Sequence, residues 1–151
     1  YHTAILNKKK SAKSASRIDL KLSTNWIDAA KRASYFVEAK NLIENNCTKH
    51  GRKSKLSARK MQKRYISTGM DHIISGEYPT NSCLLGYIIE GTPIRIVEHI
   101  NEILLQDTRS DETLKKKKLD IPYLEEAYIS VHLNNYVLHH YFLQFSKFQN
   151  T

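Results

Sequence analysis

The stretches RIDLKL, residues 17–22, and SYFVEAKNL, residues 34–42, decide how this chain is read. In the first, Ile18, Leu20 and Leu22 alternate with Arg17, Asp19 and Lys21. That period of two predicts a half-buried strand with Asp19 on its polar face. The second is dense in aromatic and β-branched residues. It predicts another strand, with Tyr35 and Val37 pointing one way and Phe36, Glu38 and Lys40 the other. Three charged residues thus stand where apolar ones would serve a sheet equally well.

Outward from this pair, KKKSAKSASR (residues 8–17) is basic and rich in Ser and Ala, and predicts a loop before the first strand. Residues 23–34 connect the two strands, and the polar residues 43–55 predict a loop after the second. From Leu56 to Ile74, Leu56, Met61, Tyr65, Ile66, Met70, Ile73 and Ile74 recur near the helical period. One helix is expected there, with Ser57 as N-cap and Arg59, Lys60, Lys63 and Arg64 on its other face. Gly76 and Pro79 punctuate it, and CLLGYIIE (residues 83–90) has the length of a buried strand. Thr92 and Pro93 form a helix start, and the apolar spacing carries that helix to about Gln106. The charged, aperiodic residues 107–122 predict a mobile surface loop. AYISVHL and YVLHHYFLQF flank Asn134 and Asn135, which predicts a C-terminal β-hairpin closed by a two-residue turn. No internal repeat is visible, and the order describes an α/β or α+β domain around a central sheet.

Composition bounds the function. A chain of 151 residues is the size of one domain, and 40% hydrophobic with 26% charged residues is ordinary for a folded globular protein. No apolar run reaches a membrane span, and the N-terminus lacks the order of a signal peptide, so a cytoplasmic protein is expected. Cys47 and Cys83 have no metal-ligand spacing and are expected as free thiols, Cys83 buried. The formal net charge of +9 favours polyanions, since each Lys or Arg that pairs with a phosphate releases condensed counterions. A merely soluble basic surface is the bland alternative.

Glu38 and Lys40, two apart on a strand, emerge on one face roughly 7 Å apart. Asp19, on a neighbouring strand, can meet them there. Two carboxylates on one point make a hard oxygen site for Mg²⁺, with Mn²⁺ as a substitute, and the ion keeps waters and accepts a phosphate oxygen. A lysine beside it can orient an attacking water and stabilise charge on the phosphate. Against this stands the commoner role of Glu and Lys on a strand, a solvated edge or an ion pair.

The Asp of RIDLKL, the ExK of YFVEAKNL and the helix and apolar strand that follow resemble the PD-(D/E)xK superfamily of restriction-endonuclease-like nucleases. RYISTGMDHIISGEYPTNSCLLGYIIEG is similar to a region of restriction-like proteins in bacterial anti-phage systems, and YISVHLNNYVLHHYFLQF to their terminal hairpin. The resemblance covers residues 17 to about 148. It implies a restriction-endonuclease-like central mixed sheet flanked by helices, one domain over residues 1–151 with an N-terminal truncation or an unusual opening, and an Mg²⁺-dependent DNA endonuclease of restriction or phage defence. By it, Asp19 and Glu38 hold the metal and Lys40 is the catalytic lysine, with Asp28 the competing first ligand. A catalytically idle nucleic-acid-binding or scaffold domain and an RNA-processing nuclease are the alternatives. Cutting both strands of a duplex calls for two active sites, so a homodimer or larger complex is expected, and an activating ATPase or sensor partner is left open.

Other features carry less. Arg59, Lys60, Lys63 and Arg64 suit phosphate contacts, which supply affinity without sequence readout. Gln62 is a candidate to face the site. His132 and His139 are expected opposite each other across the hairpin, as packing or hydrogen-bonding residues and not as zinc ligands. Lys115 to Lys118 form a solvated run, Gly86 permits close packing or a bulge, and Tyr65, Tyr78 and Tyr87 belong to the core or its rim.

Overall fold

The computed structural model describes residues 3–4, 17–23, 34–48, 55–118 and 127–144. Asp28 and the tail of the charged segment, residues 119–122, lie outside them. The strand expected over 17–22 is broken at Asp19: β1 (Thr3–Ala4) pairs with β2 (Arg17–Ile18), and β3 (Leu20–Ser23) pairs with β4 (Ser34–Ile43). The chain changes partner at the bend, so the alternation does not translate into burial. Ile18 is in the core, whereas Leu20 and Leu22 are exposed. The expected loop after β4 contains a small ribbon, β5 (Cys47–Thr48) against β6 (Lys55–Leu56).

Leu56 therefore belongs to a strand, and the helical run starts one residue after Ser57, whose hydroxyl accepts from the Lys60 N–H as an N-cap should. The run is α1 (Ala58–Tyr65), a π-helical turn (Ile66–Met70) and α2 (Asp71–Ile74). Gly69 sits in the π turn, where a Cβ would come within 2.6 Å of the Leu84 side chain. The buried strand β7 (Ser82–Glu90) and the helix α3 (Pro93–Gln106) follow, with Thr92 capping α3 and Pro93 opening it.

The charged segment is more ordered than its composition suggests. It forms a 3₁₀ turn (Ser110–Glu112) and an edge strand, β8 (Lys115–Lys117). Asn101 on α3 fixes the entry: its amide donates to the Leu114 carbonyl at 3.0 Å and accepts from the Leu114 N–H at 2.7 Å. A lysine-only strand has no hydropathy signal, yet charge on an edge blocks pairing with other chains. β9 (Ala127–His132) and β10 (Tyr136–Gln144) make the hairpin. Its turn has three residues, Leu133–Asn135, with Asn134 and Asn135 in the left-handed region that Asn tolerates. Consequently His132 pairs with Tyr136 and His139 with Ile129, and the two histidines lie on opposite faces instead of opposite each other.

The protein is thus mixed α/β, with a six-stranded mixed sheet ordered β3-β4-β7-β10-β9-β8, parallel at β4–β7 and β7–β10. Register aligns even positions in rows: Glu38, Leu84, His140 and Tyr128, then Lys40, Gly86 and Phe142. This face meets the helices, and Leu42, Leu84, Ile88, Leu138 and Phe142 join Tyr65, Met70, Ile96, Ile100 and Leu104 in one core. Gly86 allows close packing, as expected: a Cβ there would lie 2.5 Å from the Phe142 ring. Cys83 is buried and both cysteines are free. No helix among the described residues is long and apolar enough to cross a membrane.

Candidate active site

Because Glu38 and Lys40 occupy successive even positions of β4, both rise on the helix face, where Lys40 Nζ donates to Glu38 Oε1. This pair is no solvated edge, for Glu38 is only 4% exposed. Its other oxygen, Oε2, is buried and has no hydrogen-bond partner among the described residues. Burial pushes the Glu38 carboxyl above its ordinary pKa; the Lys40 ammonium opposes the rise and the Asp19 charge adds to it.

Asp19 arrives round the edge of the sheet. β3 pairs with β4 only from Ser34 to Val37, so beyond Val37 that side of β4 is left to the bend between β2 and β3. There Asp19 Oδ2 accepts the Ala39 N–H at 2.8 Å, bound to the backbone between Glu38 and Lys40. All three residues line one cleft of about 630 Å³. Arg64 and Met61 of α1 form a wall, and Asn41, Leu85 and Tyr87 extend the floor across the sheet.

The four basic residues of the α1 face have different surroundings. Arg64 lines the cleft, Lys60 and Lys63 are exposed and do not line it, and Arg59 donates to Gln106 Oε1 at 2.7 Å. Gln62 does not face the cleft; it is buried and donates to the Ile43 carbonyl at 3.1 Å, fastening α1 to the end of β4. Tyr78, from the loop before β7, belongs to the core as expected, and it stands behind the acidic pair without lining the cleft. Burial raises its pKa, and the negative charges of Glu38 and Asp19 raise it further, so its hydroxyl is held as a neutral donor facing the acidic pair. No spacing signal marks that position, which it reaches through the α2–β7 loop.

The histidines build something else. Tyr65 Oη lies 2.8 Å from His140 Nδ1, Ser130 Oγ lies 2.8 Å from His140 Nε2 and 2.7 Å from His132 Nε2, and His132 Nδ1 lies 2.7 Å from Glu112 Oε2. The carboxylate end sets the direction. His132 donates to Glu112, Ser130 donates to His132, His140 donates to Ser130 and Tyr65 donates to His140, every member satisfied with both rings neutral. Burial drives the His140 pKa down to about 3. Arg109 donates to Glu112 and Asp71, each at 2.7 Å, and its bonds hold the Glu112 carboxyl below its ordinary value.

No protein-family model, no curated protein and no solved structure matches the chain.

Among the described residues no three His, Cys, Asp or Glu side chains cluster as an all-protein metal cage. Mg²⁺ does not need one: it binds through one or two carboxylates and completes its shell with water and phosphate oxygens. Asp19 and Glu38 in one cleft, with the orphaned Oε2 of Glu38, fit that requirement.

Proposed function

We propose that this protein is a divalent-metal-dependent endonuclease that hydrolyses DNA phosphodiesters at the edge of β4, on a fold of the restriction-endonuclease-like kind. The observation that carries the reading is the buried, unpartnered Oε2 of Glu38 in a cleft shared with Asp19, Lys40 and Arg64. A buried carboxylate oxygen without a partner costs stability, and a cation ligand is the function that offsets it.

In this reading Asp19 and Glu38 hold Mg²⁺ or Mn²⁺. When bound, the ion lowers the pKa of a coordinated water and polarises the scissile phosphate. Glu38 would offer Oε2 to the cation, and Lys40 Nζ, held at Oε1 of the same carboxylate, would be placed to hold a phosphate oxygen and stabilise developing charge. Arg64, across the cleft, offers its planar guanidinium to the same phosphate or the next. The neutral Tyr78 hydroxyl stands beside the acidic pair and adds no charge of its own there. Restriction or phage defence as the setting rests on the resemblance of residues 64–91 and 128–145 alone.

A second reading, an idle nucleic-acid-binding domain, is favoured by the Lys40–Glu38 pair and by the use of Asp19 Oδ2 on the Ala39 amide. The two readings part in one experiment: incubation of supercoiled plasmid, single-stranded DNA and RNA with Mg²⁺, Mn²⁺ or EDTA, for the parent, Asp19→Ala and Lys40→Ala. Metal-dependent cleavage lowered at least about 100-fold by each substitution supports the nuclease. DNA retained in a gel without cleavage in any metal supports the idle domain, and cleavage of RNA alone would make it an RNA-processing enzyme.

A further inference from the structure

The cleft has two ends of different chemistry. Glu38, Lys40 and Arg64 make the helix-side end polar. The other end lies on the opposite face of the sheet, where odd positions share rows: Leu20 with Val37, Ala39 with Leu85, and Asn41 with Tyr87. The cleft takes in all six, so it passes round the open edge of β4 from the charged side to an apolar floor. Its volume, about 630 Å³, lies in the range of sites that enclose a small molecule or one nucleotide-sized unit.

A duplex presents phosphates and sugars to such an edge and keeps its base faces stacked inside. An apolar floor ending in a tyrosine ring has nothing to bind on an intact duplex; an unstacked base does have a face for it. From these rows we infer that the cleft holds a single-stranded nucleotide, its phosphate at Lys40 and Arg64 and its base against Leu85 and Tyr87, with the Asn41 amide at the base edge. The substrate class is then single-stranded or locally unpaired nucleic acid. Asn41 supplies both donors and an acceptor, so it can bond any base edge and bias the choice of base. This inference rests on the nuclease reading for the polar end only.

Fluorescence anisotropy with a labelled 12-nucleotide single strand and with its duplex, in Ca²⁺ to suppress cleavage, tests it. The single strand is expected to bind more tightly than the duplex. Tyr87→Leu should weaken it by roughly 5- to 150-fold, the range of one base–aromatic stack, while Tyr87→Phe stays close to the parent. A series of single strands with one abasic residue moved along the chain reads the same contact on the unsubstituted protein: one position should lose affinity and the others should not. Duplex bound as tightly as single strand, or abasic losses equal at every position, overturns the inference. If metal-dependent cleavage is abolished by Asp19→Ala but indifferent to Tyr87, the nuclease stands and the base site falls. If Tyr87-dependent single-strand binding occurs without cleavage of any substrate, the base site stands and the nuclease falls.

Discussion

Two glutamates, Glu38 and Glu112, each take a cation from their own neighbourhood and end in opposite electrostatic states. Glu112 receives Arg109 and terminates a chain of hydrogen bonds in which every polar atom from Tyr65 to His132 has a partner, and its pKa is lowered. Glu38 receives Lys40 on one oxygen only, is more deeply buried, and its pKa is raised. A fully connected buried network stabilises a fold, whereas a half-satisfied one costs stability and persists where function needs it. The difference separates a structural polar cluster from a candidate site without reference to any other protein.

The comparison is broken most forcefully at His140. Truncating it to Ala leaves a cavity and orphans both Tyr65 Oη and Ser130 Oγ, so a loss of about 3–5 kcal/mol is expected in urea unfolding. A loss under about 1 kcal/mol would show that the network is not cooperative. Next, Glu112→Ala should cost about 1–3 kcal/mol, because Arg109 and His132 lose their shared acceptor. Glu38→Gln should act in the other sense, raising stability by about 1 kcal/mol at neutral pH while removing cleavage; calorimetric melts of the two glutamate variants side by side measure the contrast. A destabilised Glu38→Gln would place Glu38 with the structural cluster.

Titration sharpens the comparison by separating the signs of the two sites. His140 stays neutral in the fold down to about pH 3, whereas the unfolded chain protonates near 6.5, so stability falls as pH drops through that window. Glu112, with its pKa lowered, adds a further loss as pH falls from its usual 4.5. Glu38, with its pKa raised, contributes with the opposite sign: its share is present below 4.5 and lost as pH rises through its folded value. The stability gap between Glu38→Gln and the parent should therefore widen from pH 4.5 toward neutrality, and a gap independent of pH would contradict the raised pKa.

Where one period dominated a segment, the sequence was a sufficient guide. β4, β7, α3 with its Thr92–Pro93 start, the Ser57 cap and the terminal hairpin all stand within a residue or two of the expected bounds. Glu38 and Lys40 share a face for the same reason, since spacing of two on a strand is a local geometric fact. The strand at Arg17–Leu22 failed as a single element because alternation cannot register a change of pairing partner at Asp19. β8 was illegible because its lysines carry no hydropathy pattern, and its pairing comes from the backbone of β9. The meeting of His132 and His140 at Ser130 depended on one extra residue in the turn, which resets the hairpin register.

By itself the sequence determined the main strands, the helix caps, the basic charge and the pairing of Glu38 with Lys40 on one face, since these follow from backbone geometry over a few residues. Tertiary structure alone decided that Asp19 reaches them round an open sheet edge, that Arg64 and not Arg59 lines the cleft, and that Tyr87 belongs to it. Those placements depend on where β3 stops pairing and on which rows of the sheet align, and both are set by contacts between residues far apart in the chain.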